Sequence, residues 1–446
     1  MTPVIAIFDV GKTNKKLFLF DEHYQIVFER SARFLETVDE DGDPCENLES
    51  LRLSVFDSLH EVLRREEFDI RAINFTSYGA SFVYVDEAGR PLTLLYNYLK
   101  PFPIEIQEGL YADYGGVERF SLDTASPTLG SLNSGLQLLR IKETNPVIFE
   151  RMKYALHLPQ YLSFLISGRV ASDMTSIGCH TALWDFNRRT YHPWVKDYGI
   201  DSKLAPILQG DEVFSSTFLG GEFKVGIGLH DSSSALIPYL LNFHEPFVLI
   251  STGTWCISLN PFNDNPLTEE ELKKDCLFYM SYTGSPVKAS RLFAGHEHEV
   301  QSKRIADYFQ VSSAKFKSLR IDWGIIEKLQ NSDVSSSLDA FSNIGLDVYQ
   351  DYIEAYHALI LFLVQAQLAS TGLVMKGVDV KRIFVDGGFS RNDIYMNLLA
   401  RAFPDMEVYA ASMAQATAIG AALVIHKQWN TKEIPNDIIE LRYYRG

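Results

Sequence analysis

The sequence predicts an α/β protein built from two domains of related design. Its 446 residues exceed the size of one ordinary core, and 46% of them are hydrophobic, which is ample for two large interiors. A strand, a glycine turn and a second strand occur near residue 11 and again near residue 253. We therefore expect one domain over residues 1–240 and another over residues 241–446, with a cleft between them.

The composition argues against several classes of partner. Asp and Glu number 57 and Lys and Arg 41, so the formal net charge is −16. A field of this sign repels nucleic acids and anionic membranes, and any bound phosphate must be held by local geometry. Four scattered cysteines without C-x-x-C spacing argue against a disulfide framework or a zinc site. With no signal peptide pattern and no apolar run of bilayer length in the sequence, we expect a cytoplasmic protein.

The first half opens with strands. Residues 4–8 form a continuous apolar run typical of a strand buried on both faces, and residues 9–14 form a polar turn. Residues 16–20 and 25–34 predict two more strands, so three strands joined by two hairpins begin the chain. The acidic residues 37–46 predict an exposed loop, because a metal-binding loop would need more regular ligand spacing. Further on, the pattern predicts a helix and two strands, over residues 48–65, 72–76 and 82–85.

The second half repeats the opening pattern. Residues 247–259 contain an apolar strand, a glycine turn and another strand, and residues 383–386 predict a late strand. Two helical stretches follow, over residues 393–403 and 412–426. In the second stretch Ser412 and Gln415 have the spacing of a capping box, and its small residues allow close approach of another backbone.

The turn after the first strand offers groups that suit a phosphate. A P-loop is excluded, because the glycine that it requires is Ala6 and a strand stands where the loop should be. Gly11 instead lets the backbone approach a ligand closely, while Lys12 and Thr13 offer a cation and a hydroxyl. The carboxylate of Asp9 suits hydrated Mg²⁺. Taken alone, the motif is more typical of an ordinary turn.

The second glycine turn, at residues 251–254, offers similar groups. It presents hydroxyls on a flexible backbone between two apolar strands. Two such turns, one from each domain, would form a clamp for a polyphosphate across the cleft. Residues 386–392 follow a strand and precede a helix, and their paired glycines would let a flat purine or an α-phosphate lie on the backbone.

In their order and approximate spacing, these motifs resemble those of FGGY-type carbohydrate kinases. The matching segments are Asp9-Val-Gly11, Ser251-Thr-Gly-Thr254, Asp386-Gly-Gly388 with Ser390-Arg391, and Ala416-x-x-x-Gly420-Ala-Ala422. The resemblance covers nearly the whole chain. It implies two ribonuclease H-like domains of the actin/hexokinase/Hsp70 ATPase type around an interdomain cleft, with ATP and Mg²⁺ as cofactors.

A further segment, Gly226-Ile-Gly-Leu-His230-Asp231, resembles the family segment that holds the catalytic aspartate. It is most similar to rhamnulokinase- and fuculokinase-like members, and the resemblance implies that Asp231 is the catalytic base. A carboxylate within reach of a sugar hydroxyl can accept its proton as the hydroxyl attacks a phosphoryl group. Asp231, followed by Ser232 and Ser233, also fits a helix N-cap, and both roles can hold at once.

Two segments resemble the sugar-binding side of the family. Residues 76–86 match its strand–loop–strand, with Ser81 where rhamnulokinase-like members carry an acidic residue. Tyr96 and Asn97 stand where many members have an Arg-Asp pair. These departures bear on the identity of the sugar rather than on the reaction. Lys12 also departs, since the family usually has a small hydroxyl residue or alanine there; contact with the transferred phosphate and exposure to solvent both stay open for it.

The resemblance implies three groups of site residues. The residues for catalysis and sugar binding are Ser77, Tyr78, Gly79, Ala80, Asn97, His230 and Asp231. The residues for ATP and its phosphates are Gly11, Lys12, Thr13, Asn14, Thr252, Gly253, Thr254, Gly387, Gly388 and Asn392. The residue for Mg²⁺ is Asp9. His296 and His298 are not included, because their i, i+2 spacing indicates a strand face or a loop and the sequence suggests no third ligand.

The expected function is ATP-dependent phosphorylation of a hydroxyl of a small ketose such as L-rhamnulose or L-fuculose. The alternatives are D-xylulose, another pentulose or a polyol as substrate. From other classes, a non-catalytic actin-like module that ATP switches and a sugar-sensing regulator are weaker alternatives, since the sequence shows no added substrate domain or helix-turn-helix. Whether the protein is a monomer or a homodimer stays open.

Overall fold

Two sheets form the framework of the protein. The computed structural model describes residues 1–12, 14–218, 220–331, 338–413 and 415–445. Within these residues each half of the chain contributes one seven-stranded sheet.

The first half combines its large sheet with several two-stranded ribbons. Its strands are β1 (Thr2–Val10), β2 (Lys15–Asp21), β3 (Ile26–Ala32), β4 (Thr37–Val38), β5 (Pro44–Cys45), β6 (Phe68–Ser77), β7 (Phe82–Val85), β8 (Tyr154–His157), β9 (Ser172–Asp173), β10 (Trp184–Asp185), β11 (Thr190–Tyr191), β12 (Ile207–Leu208), β13 (Val213–Phe218), β14 (Gly221–Gly226) and β15 (Leu229–His230). Its helices are α1 (Leu48–Leu63), α2 (Ile104–Asp113), α3 (Gly116–Thr124), α4 (Ser134–Thr144), α5 (Pro146–Arg151), α6 (Leu158–Ser167), α7 (Met174–Ile177), α8 (Pro193–Asp197) and α9 (Asp231–Asn242).

The second half places helices on both faces of its sheet. Its strands are β16 (Phe247–Thr252), β17 (Cys256–Asn260), β18 (Cys276–Met280), β19 (Pro286–Leu292), β20 (Arg382–Gly387), β21 (Glu407–Ser412) and β22 (Glu440–Tyr444). Its helices are α10 (Glu269–Lys273), α11 (Ala294–Tyr308), α12 (Trp323–Gln330), α13 (Leu338–Asn343), α14 (Tyr352–Met375), α15 (Asp393–Ala402), α16 (Ala416–Val424) and α17 (His426–Trp429).

The first sheet has the order β13-β14-β6-β1-β2-β3, and β15 also pairs with β6. The three opening strands and their hairpins are confirmed. In β1, Val4 and Ala6 belong to the core that contains α1, whereas Ile5 and Ile7 belong to the core that contains α9 and α16. This alternation explains the unbroken apolar run, because both faces of the strand are covered.

The second sheet has the order β18-β19-β17-β16-β20-β21-β22. β16 is antiparallel to β17 and parallel to β20, which is the relation that β1 has to β2 and β6. The predicted repeat of strand, glycine turn and strand is therefore confirmed. In each half the turn lies at the carboxyl end of a central buried strand.

Helix α14 is the core helix of the second half. Among the described residues it is the one helix long and apolar enough to cross a membrane by length and composition. Leu359, Ile360 and Leu363 are nevertheless fully buried in the cluster that also contains residues of β16 and β20. Its apolar composition is explained by this packing inside the protein.

Helices α9 and α16 join the two halves. At their crossing a Cβ on Gly420 would lie 1.9 Å from the carbonyl oxygen of Ser234, so a residue larger than glycine does not fit without a shift. The hydroxyl of Ser234 also donates a 2.7 Å hydrogen bond to the carbonyl oxygen of Thr417. The small residues in the sequence of α16 thus allow this helix to pack closely against α9.

Two local predictions are wrong. The helix expected from residue 412 begins at Ala416, because Ser412 is still the last residue of β21. Gln415 has φ +61° and makes no side-chain cap, so the capping box does not form. His296 and His298 lie on helix α11 rather than on a strand or in a loop, and at this spacing they do not share a helix face.

Replacing Gly420 with alanine should lower the free energy of unfolding by roughly 2–3 kcal/mol, because the added methyl would press on the backbone of α9. Gly372 is the matched control: it lies in α14, and nothing is within 4 Å of a Cβ built on it. Gly372→Ala should raise the stability by about 0.5–1 kcal/mol. Urea unfolding of both variants and the parent measures the difference, and equal stability of the two variants would refute the close contact.

Candidate active site

The carboxylate of Asp9 lies at the carboxyl end of β1, where it meets the second half of the chain. Its Oδ2 accepts a 2.8 Å hydrogen bond from the hydroxyl of Thr417, near the start of α16. Burial raises the pKa of Asp9 to about 6; the bond from Thr417 opposes this rise, and the charge of Asp231 adds to it. Asp9 and Asp231 are thus near enough to repel each other, although they come from different elements.

The first glycine turn connects β1 to β2. A 2.9 Å hydrogen bond from the N–H of Gly11 to the carbonyl oxygen of Asn14 closes it. The amide oxygen of Asn14 accepts a 2.8 Å bond from Nε of Arg33, so this side chain is used within the protein. Lys12 extends toward the rings of Tyr78 and Tyr98 in the first half. Thr13, predicted to contact a phosphate, lies outside the described residues.

Thr252 links the second glycine turn to the Gly-Gly loop. Its hydroxyl donates a 2.5 Å bond to the carbonyl oxygen of Asp386 and accepts a 3.0 Å bond from the N–H of Phe389. Gly387 has φ +92°, and a Cβ on it would lie 1.9 Å from the carbonyl oxygen of Thr252. The hydroxyl of Thr252 therefore serves the fold, whereas residues 253–254 are exposed at the tip of the turn.

Asn392 caps a helix in the second half. Its Oδ1 accepts a 3.0 Å bond from the N–H of Tyr395 at the start of α15, and its Nδ2 donates a 2.9 Å bond to the hydroxyl of Tyr356. The amide predicted to face a nucleotide is thus engaged in internal bonds. Gly388 differs, since no atom lies within 4 Å of a Cβ built on it. Its backbone is the open part of this loop.

Asp231 is the first residue of α9. Its Oδ1 accepts a 2.6 Å bond from the N–H of Ser232 and lies 3.3 Å from Nε2 of His230. His230 is the N-cap residue, so the predicted capping position is shifted by one residue. β15 runs parallel to β6, and His230 pairs with Ser77 at the end of both strands. Asp231, the next residue, therefore lies beside the start of the predicted sugar wall. Its side chain is 32% exposed, which leaves the carboxylate accessible.

His230 is a buried, uncharged neighbour of Asp231. Burial lowers the pKa of His230, although the charge of Asp231 acts in the opposite direction. Its Nδ1 has no hydrogen-bond partner within the described part of the chain, and its Nε2 lies 3.5 Å from Sγ of Cys179. Nε2 of His230 thus lies near both Sγ of Cys179 and the carboxylate of Asp231. A Cβ on Gly79 would lie 2.8 Å from the His230 ring, so a glycine is required beside it.

The rest of the predicted sugar wall is held by backbone contacts. The hydroxyl of Ser77 donates a 3.1 Å bond to the carbonyl oxygen of Tyr78. Ala80 has φ +60°, and its carbonyl oxygen accepts a 2.8 Å bond from Nε2 of Gln137. The Oδ1 of Asn97 accepts a 2.9 Å bond from a backbone N–H two residues later, so it shapes its own turn.

Sequence reasoning missed Glu46. It ends the acidic loop of residues 37–46, which was expected to be exposed, but Glu46 and Asp39 are buried. The carboxylate of Glu46 accepts a 2.9 Å bond from the hydroxyl of Tyr78 and lies 3.0 Å from Nζ of Lys15. A lysine at the start of β2 was the available signal, because a buried ammonium needs a counter-charge. Nothing in the local sequence indicates which acid supplies it.

Lys100 fastens the remainder of this acidic loop. Its Nζ lies 2.5, 2.8 and 3.3 Å from three carboxylates, those of Asp39, Asp41 and Asp43. Burial alone would lower the pKa of Lys100, but the bonds to these carboxylates raise it. Glu40 also accepts a hydrogen bond from the hydroxyl of Tyr96. The loop is therefore attached to the segment that carries Asn97.

The carboxylate of Asp9 suits a divalent cation. Mg²⁺ prefers carboxylate oxygens and retains several waters, so one or two carboxylates suffice. The raised pKa of Asp9 reflects in part the like charge of Asp231, a repulsion that a cation between them would relieve. The exposed tip at residues 253–254 belongs to the other half of the chain.

Asp9→Asn should stabilise the protein at neutral pH by roughly 2 kcal/mol, because the amide keeps the acceptor for Thr417 and loses the buried charge. The pKa of folded Asp9, about 6, exceeds its ordinary value of 3.8, so the cost of the charge is complete above pH 6 and absent below pH 3.8. The gain should therefore be present at pH 8 and nearly absent at pH 4.

Denaturant unfolding at the two pH values measures this effect. Asp379 is the control, since it is exposed and pairs only with the neighbouring surface residue Lys381 in the described structure. Asp379→Asn should change the stability by less than about 0.5 kcal/mol at either pH. A gain for Asp9→Asn that is equal at pH 4 and pH 8 would contradict the raised pKa.

Two family models match the chain. The N-terminal domain of the FGGY family of carbohydrate kinases matches residues 4–237, and the C-terminal domain of carbohydrate kinase FGGY matches residues 244–433.

Solved structures of carbohydrate kinases have a similar fold. A carbohydrate kinase from Novosphingobium aromaticivorans has a TM-score of 0.79 and 21% identity over 99% of this chain and 96% of that chain. Ligand-bound xylulose kinase from Lactobacillus acidophilus has a TM-score of 0.78 and 15% identity over 99% and 93%. At these identities the likeness shows the fold.

Relatives found by sequence match a smaller part of the chain than the solved structures do. A rhamnulokinase from Oceanobacillus iheyensis is 25% identical over 201 residues, which is 42% of this chain and 40% of that protein. An L-fuculokinase from Escherichia coli K12 is 23% identical over 275 residues, 56% of this chain and 55% of that protein. In these matches the chain spans about two fifths to just over half of the length of its relatives. The predicted two-domain, actin/hexokinase-like fold is confirmed, and the chain belongs to the FGGY family of carbohydrate kinases.

Proposed function

We propose that the protein transfers the γ-phosphoryl group of ATP to a hydroxyl of a small neutral sugar. The observation that carries the proposal is the accessible carboxylate of Asp231, which begins α9 next to the predicted sugar wall. Its charge also raises the pKa of Asp9. A nucleophile held on the first half and phosphates held by the turn of the second half would meet at this point. Membership of a carbohydrate kinase family supports the same reaction.

In this mechanism Asp231 is the general base. A sugar hydroxyl within hydrogen-bond distance of its free oxygen passes its proton to the carboxylate as the hydroxyl oxygen attacks the γ-phosphorus. The bond between that phosphorus and the bridging oxygen of ADP breaks, and ADP leaves. The lowered pKa of His230 favours its neutral form, so the ring would pack beside the carboxylate without adding a positive charge there.

Asp9 and the glycine turns have supporting roles. Asp9 would hold Mg²⁺, which neutralises phosphate charge when it is bound. The backbone of Gly11 and of residues 253–254 would contact the phosphates, and the open backbone of Gly388 would lie along the nucleotide. Asn14, Thr252 and Asn392 are better explained as structural, because their side chains are engaged within the protein.

For the substrate we propose a ketose, with L-rhamnulose and L-fuculose first. Relatives named rhamnulokinase and L-fuculokinase support this choice at low identity. D-Xylulose is the alternative, supported by the likeness of the fold to xylulose kinases. The sugar would rest on the wall at residues 77–80, where Gly79 and His230 are in close contact. Sugar and ATP are the proposed partners, and the protein would act in the cytoplasm.

Asp231→Asn should lower kcat for sugar-dependent ADP formation by roughly 10²–10⁴-fold, because the amide cannot accept the proton. The fold should survive, since the side-chain oxygen can still accept the bond from Ser232. Asp393 is the matched control: it begins α15 as Asp231 begins α9, and it binds the N–H of Ile321 away from the site. Asp393→Asn should leave kcat within about twofold of the parent.

A coupled assay across ketoses, aldoses and polyols provides the measurement. One sugar that stimulates ADP formation in the parent and in Asp393→Asn, but not in Asp231→Asn, supports the reaction and the base. ATP hydrolysis that no sugar stimulates would contradict the proposal and favour a module that ATP switches. Phosphorylation by Asp231→Asn at the parent rate would leave the kinase reaction standing and remove Asp231 as the base.

A further inference from the structure

We infer that Lys12 is a specificity residue of the sugar pocket, held in place by Glu46, and that it donates a hydrogen bond to a hydroxyl of a neutral sugar. This inference rests on the proposed kinase function. It differs from the phosphate contact considered for Lys12 in the sequence, and it adds Glu46 and the acidic loop to the site.

The ammonium of Lys12 lies among residues of the first half. Its Nζ is 3.3 Å from Oε1 of Glu36 and 3.5 Å from Oε1 of Glu46. It also lies 5.8 Å from the ring centres of both Tyr78 and Tyr98. Tyr78 belongs to the predicted sugar wall, and Tyr98 follows the predicted sugar residue Asn97. The side chain therefore points to the sugar side of the turn.

Glu46 fixes the position of Lys12 from two directions. Its buried carboxylate accepts from the hydroxyl of Tyr78 and pairs with Lys15 as well as with Lys12. Nζ of Lys15 also donates a 2.9 Å bond to the carbonyl oxygen of Lys12, so the turn and the ammonium are tied to one carboxylate. The ion pairs of Lys100 with Asp39, Asp41 and Asp43 fasten the loop that Glu46 ends. A lysine restrained in this way loses little entropy when it binds a ligand.

This group of residues borders the proposed base. Burial raises the pKa of Tyr98, and the charges of Asp231, Glu46 and Glu36 add to this rise, so all three carboxylates are near enough to act on it. The rings of Tyr78 and Tyr98 meet edge to face with their centres 6.0 Å apart. A sugar whose reacting hydroxyl is at Asp231 would have another hydroxyl in the direction of Lys12.

The charges select a neutral substrate. A lysine ammonium has three N–H donors, and two of them meet Glu36 and Glu46, which leaves one for a sugar oxygen. Lys12 and Lys15 together balance the charges of Glu36 and Glu46. Asp231 then leaves the region with a net negative charge, which would repel the carboxylate of a sugar acid. The pocket therefore favours ketoses and polyols over aldonates.

Lys12→Met removes the donor and keeps the length of the side chain. We expect the KM for the sugar to rise roughly ten- to hundredfold, which is the range for a hydrogen bond from a charged donor, while the KM for ATP changes less than about twofold. Lys12→Arg should restore part of the sugar affinity. Lys288→Met is the matched control, since it breaks a buried Lys–Glu pair of the second half, with Glu271 at 2.8 Å, and should leave both KM values unchanged.

Monodeoxy analogues of the substrate identify the hydroxyl concerned. For the parent enzyme, loss of that hydroxyl should raise KM as much as Lys12→Met does, and the variant should not distinguish the analogue from the sugar. An aldonate of the same carbon number should not be phosphorylated by the parent. A fall in kcat with an unchanged KM for the sugar would overturn the inference, because Lys12 would then act on the transferred phosphoryl group.

Binding without turnover separates this inference from the proposed reaction. The shift in Tm that each sugar causes in the parent and in Lys12→Met requires no phosphoryl transfer. If no sugar is phosphorylated but one raises Tm in the parent and not in the variant, the reaction fails and the inference stands. If phosphorylation occurs and both proteins bind the sugar equally, the inference fails and the reaction stands. If no sugar shifts Tm of the parent, the inference fails as well.

Discussion

The close contact between α9 and α16 is the constraint on which the rest of the structure depends. These two helices lie between the sheets, and the space at Gly420 sets how near the two halves come. The same two helices carry the groups that meet at the site: Asp231 begins one, and Thr417 of the other binds Asp9. A shift of α16 away from α9 would move Thr417 and Asp231 apart. The geometry of the carboxylates therefore depends on the packing of these two helices.

The electrostatics of the site follow from this arrangement. Asp9, Asp231, Glu36 and Glu46 bring negative charge to a region that Lys12 and Lys15 only partly neutralise. Burial removes water from the carboxylate of Asp9 and raises its pKa, so the charged form of Asp9 lowers the stability of the folded protein. Sites that bind cations and phosphates commonly hold such unfavourable charge in the free protein, since the ligand relieves it.

Much of the fold could be predicted because it depends on local patterns. Continuous apolar runs mark β1 and β16, and the glycine turns after them mark the repeat. The start of α16 could not be predicted, since Ser412 completes a strand pairing that only the folded sheet provides. The resemblance of residues 226–231 to a segment of the family indicated Asp231. It did not indicate that the side chains of Thr252 and Asn392 are engaged in internal hydrogen bonds. Glu46 was missed for a related reason: its partners Tyr78 and Lys15 are distant in sequence from one another.

Lys100, which pairs with three aspartates of the acidic loop, affects how this loop responds to dissolved cations. In many proteins a loop of closely spaced carboxylates takes its shape from a dissolved ion, and the shape is lost when a chelator removes that ion. Here Lys100 supplies the positive charge from the same chain. A tethered charge has a fixed effective concentration that dilution and chelation do not alter. The order of this loop, and of the Glu46 that ends it, is thereby independent of the calcium and magnesium content of the medium.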